Sequence, residues 1–418
     1  MIQSIYAGVS ALQSYQTGID VLANNIANVN TVGFKGRGTE FTNLFEQKIS
    51  QNSITNSTQV GLGVKVSATP LDLSIGSYTQ TEIDTDLAIA GKDGWFGLRG
   101  GTNNDEYFTR AGNFKLDPYA DTSSVRLVSA EGFFVTGTLA NNTNNGILNP
   151  PVQALELDLS TVQSQDALIF PAELTYPVEA TTQADFFGNL GLTAVPRAIS
   201  STVISPQSQR NNLRLEFTQT IPQPISGASW DVTATTQNAN GSIVYDTQTG
   251  VVTFDNTGAL LNSTLGTIDN DGAPIIINLG TDFGGIVSNS GPSVSTSSTA
   301  NGTLAGDLIK YSVNRNGEVV ASFTNSRQSV VGKVAIYHFQ NDQGLESVSG
   351  TKFKTSSNSG QPIFYDTNNG QILSRTLETS NVTLEVALTE LIIMQRSYDA
   401  ASKTVSTADQ MLKNALNM

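Results

Sequence analysis

Apolar residues recur every seventh position at both ends of the chain. At the front, Ile5, Leu12, Ile19 and Ile26 form one row, and Ile2, Val9, Gln16 and Ala23 run beside it. At the back, Leu384, Leu391, Tyr398, Val405 and Leu412 form a row, flanked by Ala387, Met394, Ala401, Ala408 and Ala415. Two apolar rows with a period of seven predict a coiled-coil seam, so 5–26 and 384–412 are expected as long helices. Alanines beside larger residues favour close helix approach. Two arrangements fit this pattern. The ends dock as an ordinary antiparallel pair, or they form seams for other copies of the same chain. Neither seam has a local helical partner in sequence. Gln16 on the seam would weaken a private two-helix core and suits a larger assembly.

Between the ends the pattern changes to period two, with many Thr, Ser, Asn and Gly. A short patch at 39–48 carries Phe41, Leu44 and Phe45 at helical spacing, and Val60–Val66 is extended. From Asp86, apolar runs split by Gly, Asn and Asp predict antiparallel strands: Leu87–Gly91, Gly94–Phe96, Tyr107–Asp117 and Glu131–Gly137. Trp95, Phe96, Phe114 and Phe133 are expected in a core. Lys310–Val313 and Glu318–Phe323 flank Asn316-Gly317, a type I′ hairpin signal. The segment 172–305 alternates similarly, with a strand and turn at Val251–Gly258 and a serine-rich loop at 288–301.

The expected fold class is α+β. Paired terminal coiled-coil helices (1–33 and 377–418) are expected to carry a mainly antiparallel β interior. An extended connector (34–85) leads into that interior.

Composition narrows the chemistry. The 418 residues carry a net charge of −14, and charged residues are only 14% of the chain. That balance argues against nucleic acid and against an anionic membrane surface. With no cysteine there are no disulfides, thiolate nucleophiles or sulfur-ligated zinc. The single histidine, His338, lies in an apolar strand-like run, so neither a serine-type triad nor a multi-histidine metal site is expected. Asp342 and Glu346 near it have nothing to fix an acid–base geometry, and Asn341–Gly344 has turn character. Asp269-Asn270-Asp271-Gly272 resembles the start of a calcium loop, but Ala273-Pro274 follows and a β-turn is expected. No phosphate-binding glycine loop is visible. No catalytic, metal or cofactor site is expected. The N-terminus lacks the pattern of a cleaved secretory signal, and no stretch is long and apolar enough for a membrane span.

The most specific run is Ala23–Lys35. Asn24, Asn25, Asn28, Gly33, Phe34 and Lys35 stand in it where a helix should end. It resembles the N-terminal signature of the bacterial flagellar rod and hook family. Glu378–Val382 with Asn381, then Gln395 and Arg396 within Met394–Tyr398, then Asp409 and Gln410 within Ser406–Leu412, resemble that family's C-terminal signature. The order of segments through 60–66, 107–117, 181–190 and 310–362 is most similar to the hook branch, and that resemblance implies two mainly antiparallel β domains, the outer (172–305) inserted into the inner (86–171 and 306–376).

The resemblance implies a self-polymerising subunit of a curved, flexible tube that carries torque from rod to filament and encloses an export channel. It also implies partners: further copies of the chain, rod, hook-cap and hook–filament junction proteins, and the flagellar type III export apparatus. The location implied is the flagellum, reached without a cleaved signal. A rigid distal rod subunit of the same family is the alternative, favoured by the Asn/Ser-rich stretch 50–59. A secreted adhesin-like β protein is a second alternative, which leaves the terminal helices unexplained.

Overall fold

A computed structural model describes residues 2–44, 46–48, 59–100, 105–118, 123–140, 142–144, 146–148, 165–291, 296–364 and 371–417. Helix α1 spans Ile2–Ala27 and helix α2 spans Leu384–Leu416. They lie side by side and antiparallel: Gly8 sits against Val405 and Ala401, and Gly18 against Met394. Each helix packs mainly on the other, and α1 also meets Phe41 of the connector through Tyr15.

The seam is not quite the one the apolar rows predict. On α2, Ala387, Leu391, Met394, Ala401, Val405, Ala408 and Leu412 turn toward α1, but Leu384 and Tyr398 are exposed. On α1, Ile5, Leu12, Ile19 and Ile26 are half-buried, and the second row falls one residue earlier than expected. Gly8, Tyr15 and Leu22 hold it, while Val9, Gln16 and Ala23 face outward. A glycine carries no hydrophobic signal, yet it lets the helix backbones approach most closely. At Gly8 an added Cβ would lie 2.5 Å from Val405 Cγ2.

The connector is paired rather than merely extended. The predicted helical patch at 39–48 is instead strand Glu40–Asn43, which pairs with Val64–Ala68, followed by strand Glu46–Lys48 on Gln59–Gly61. Phe41 explains the change. Its ring stacks at 5.8 Å on Tyr15 of α1, so tertiary contact overrides local spacing. The stretch 50–59 lies, apart from Gln59, outside the described residues.

The inner body is a closed β-barrel. Strand Trp95–Gly100 pairs with Asp105–Thr109, Phe134–Leu139 and Ile336–His338, and Phe134–Leu139 continues onto Gln328–Val334. Its core draws on both sides of the insert, with Phe96, Phe114 and Phe170 packed against Val313, Val319 and Phe323. Trp95 is buried in an adjoining cluster and Phe133 packs partly buried at the rim. The hairpin before Glu318 is not type I′. The Gly317 N–H donates to Asn314 O and only Gly317 has positive φ (+74°), which makes a type I turn closed by a glycine bulge. Asp271 and Gly272 do both have positive φ, and they form the tight turn between Thr267–Asp269 and Pro274–Asn278.

Within the insert, five strands form an antiparallel meander: Arg197–Ile204, Arg210–Gln219, Ala228–Asn238, Val244–Phe254 and Leu260–Ser263. A smaller mixed sheet centres on Gln183–Asn189. Phe186, Leu213, Phe217, Trp230 and Ile275 fill the space between the sheets, as in a sandwich. Ser297–Ala300 pairs with Gln183–Asn189, so part of the expected serine-rich loop at 288–301 is strand.

Candidate functional site

The two signature runs, more than three hundred residues apart in sequence, meet at one buried junction where the helices join the inner body. Each asparagine there closes a backbone gap. Asn25, 7% exposed, donates from Nδ2 to Arg37 O at 2.8 Å and accepts from Arg37 N–H at 3.0 Å. Asn381 accepts from Gly36 N–H at 2.8 Å and donates to Asp72 O at 2.9 Å. Asn28 donates back to Asn24 O at 2.9 Å and ends α1. Gly33 follows with φ +66°, and its N–H donates to Glu378 O at 2.8 Å. It lies so close to the barrel that a Cβ would sit 2.4 Å from Ala111 N. Only glycine meets both demands.

Beside Gly33, Lys35 donates to Glu378 Oε1 at 2.6 Å and to Ser74 O at 2.6 Å. Arg110 approaches the other carboxylate oxygen of Glu378 at 3.5 Å and donates to Gly91 O. Its guanidinium stands 5.5 Å from the Trp95 ring centre. All three charged side chains are almost wholly buried. Desolvation pulls the Lys35 ammonium below its ordinary range, opposed by Glu378, and it lowers Arg110 in the same way. Two cations and one carboxylate therefore tie three segments together: the loop after α1, the barrel, and the strand before α2. The sequence marks Lys35 and includes Glu378 in the C-terminal signature run without giving it a role, and it gives no sign of Arg110. A charged residue in an Arg-Ala-Gly run has no pattern of its own.

Phe34 lies half-buried at the junction's edge, and Asn24 is exposed. Gln395, Arg396, Asp409 and Gln410 stay on the outward side of α2, where Asp409 pairs with Lys413 at 2.8 Å. That outward side is also apolar. Val386, Leu388, Ile392 and Ile393 are all exposed, as are Leu384 and Tyr398 elsewhere on α2 and Tyr6 and Val9 on α1. Period-seven counting finds the helix but not this second face.

The remaining candidates fall into structural roles. His338 ends a barrel strand, Asp342 accepts a hydrogen bond from Trp95 Nε1 at 3.0 Å, and Glu346 is exposed. Burial raises the Asp342 carboxyl above its ordinary range, opposed by that bond. Among the described residues there is no group of three or more His, Asp or Glu able to hold a metal. No helix among them is long and apolar enough to cross a membrane.

Comparison with known proteins bears on the same two ends. A family model for flagella basal body rod proteins matches residues 5–35, and one for the C-terminal part of flagellar basal body rod FlgEFG proteins matches 373–418. The flagellar hook protein FlgE of Escherichia coli is 29% identical over 98% of both chains. That of Borreliella burgdorferi is 30% identical over the full length of both. A crystal structure of the Helicobacter pylori flagellar hook protein FlgE2 shares the fold, with a TM-score of 0.51 over 72% of this chain and all of that one at 16% identity. These full-length relatives are hook proteins rather than distal rod proteins or adhesins. With both signatures joined at one junction and a full-length relative at 30% identity, the chain belongs to the flagellar hook protein family.

Proposed function

We propose that copies of this chain polymerise through the outward faces of their paired helices into the curved, flexible tube of the flagellar hook. The observation that carries this is the apolar outer face of α2. Val386, Leu388, Ile392 and Ile393 stay exposed after α1 has taken its side of the seam. Each such side chain is worth about 1.5–3 kcal/mol when fully buried, so a helix with this face is incomplete as a monomer. In this reading the seam residues Ile5, Val9, Leu12, Ile19, Ile26, Leu384, Leu391, Tyr398, Val405 and Leu412 divide their work. Leu391, Val405 and Leu412 hold α1 and α2 together. Val9, Leu384 and Tyr398 face neighbouring copies.

The segments divide accordingly. Residues 1–33 and 377–418 line the tube, 34–85 link it to the inner barrel (86–171 and 306–376), and 172–305 form the outer layer. The buried junction of Lys35, Arg110 and Glu378 passes torque from helix to barrel without slack. Rod, cap and hook–filament junction proteins meet the ends of the polymer, and the chain reaches it through the flagellar type III apparatus. The role is structural rather than enzymatic. Electron microscopy of cells lacking the protein tests it: complete rods without hooks are expected. Rods that stop short would assign the chain to the distal rod instead, and working flagella would remove the reading.

A further inference from the structure

The chain has no cysteine, so its four methionines are its only sulfur. One of them, Met394, is built into the helix pair. It lies half-buried on the inner side of α2, opposite Gly18 of α1. A Cβ on Gly18 would stand 3.3 Å from Met394 Sδ and 3.5 Å from its terminal methyl, with Phe41 Cζ at 3.7 Å. The thioether therefore occupies the space that the glycine leaves, where α1, α2 and strand Glu40–Asn43 meet. Phe41 in turn stacks on Tyr15, one turn before Gly18. An unbranched, polarisable side chain suits so irregular a gap.

The surroundings fit a thioether and not its oxide. The aliphatic hydroxyls within one turn of the contact are committed to backbone carbonyls. Ser14 donates to Ser10 O at 2.8 Å and to Val64 O at 3.1 Å. Thr17 donates to Gln13 O at 3.1 Å, and Ser397 to Ile393 O at 2.8 Å. A sulfoxide oxygen held against Gly18 gains no partner from them and loses the water it would otherwise bind. If the side chain swings out to water instead, Gly18 has nothing of its own to fill the gap, and Phe41 loses a neighbour. Both outcomes weaken the contact between α1 and α2.

We infer that Met394 is an oxidation site, with a hydroperoxide as the oxidant, and that its sulfoxide keeps the helix pair out of the tube. The inference rests on the polymer reading above. In the step, a lone pair of Sδ attacks the peroxide. An S–O bond forms as the O–O bond breaks, the sulfur loses an electron pair, and hydrogen peroxide leaves as water. Enzymatic sulfoxide reduction with a thiol reductant reverses it. The site is sensitive because the pair is marginal. One antiparallel pair with an exposed apolar face barely offsets its ordering entropy, so a loss at a single contact decides whether it forms. Met411 supplies the contrast. It is 54% exposed near the end of α2, and a sulfoxide there stays hydrated in the folded pair.

The test needs no substitution. Monomer is treated with hydrogen peroxide to partial conversion, then polymerised and sedimented. Peptide mass spectrometry measures the sulfoxide at each methionine in the tubes and in the unassembled fraction. Met394 sulfoxide should be enriched at least about tenfold in the unassembled fraction, and Met411 sulfoxide much less. Methionine sulfoxide reductase with dithiothreitol should return that fraction to tubes. Equal Met394 sulfoxide in both fractions, equal enrichment at Met411, or no recovery on reduction overturns the inference. If the unoxidised chain forms no tubes, the polymer reading fails instead, before any peroxide is added.

Discussion

Glu378 is the residue on which most contacts converge. It accepts from Lys35 and Gly76 N–H through one oxygen and faces Arg110 through the other, with no exposed side-chain surface. A buried pair need not add net stability, but removing one partner leaves a desolvated charge. Glu378→Gln keeps the shape and strands two cations, so a loss of about 3–5 kcal/mol is expected in denaturant unfolding of the barrel. A loss near zero would mean that water reaches the site. Asp84 makes a weaker tie. Lys310 foremost, then Arg375, hold its carboxyl below the ordinary 3.8. A carboxyl lowered on folding adds stability above that value, and the gain is lost as pH falls through the depressed one. Both cations are more than half exposed, so the gain is below about 1 kcal/mol. Asp84→Asn should therefore lower stability slightly at neutral pH and not at all in acid, as thermal melts across pH 2–5 and at pH 7 would reveal.

At the scale of elements, the helix pair depends on small residues that hydropathy does not register. A side chain at Gly8 meets Val405, whose branched Cβ cannot swing aside, whereas at Gly18 the neighbour is the flexible Met394 thioether at 3.3 Å. Gly8→Leu should therefore separate the helices and abolish tube formation, while Gly18→Ala should be tolerated. Sedimentation of polymer from each variant decides this, and equal yields would contradict the seam geometry. Leu391→Asp places a charge on the α1–α2 seam, where it has no partner. It should block polymerisation with the β domains still folded by circular dichroism. Normal tubes from it would remove the seam from assembly. The patch at 39–48 shows the opposite failure of local reading. Its helical spacing is real, but Phe41 gains more on Tyr15 as part of a strand.

For the whole molecule, connectivity separates two kinds of unit. Every strand pairing between Gln183 and Ala300 stays within that span, and so does the sandwich core. The barrel instead needs strands from both sides of it, and the junction needs both chain ends. A fragment covering 178–304 should fold alone with one cooperative transition, since its core is complete. In the dilute full chain, hydrogen exchange should be slow in the sandwich and fast in α1 and α2, because a single antiparallel pair with an exposed apolar face barely offsets its ordering entropy. Strong protection of 5–26 in the monomer, or an unfolded fragment, would contradict this division.

The sequence by itself determined the two terminal helices, the β-rich interior interrupted by an insert, and the kinship carried by the signatures. The helices and the β-rich interior follow from period and composition, which are local properties, and the kinship and the insert from the resemblance of the signature runs. It singled out Asn25, Gly33, Lys35 and Asn381 as signature residues, without showing what they touch. Only the tertiary structure decided that Lys35 and Arg110 share Glu378, that the α1 seam runs through Gly8, and that α2 keeps a second apolar face. Those outcomes depend on which distant segments meet, and no local window contains both partners.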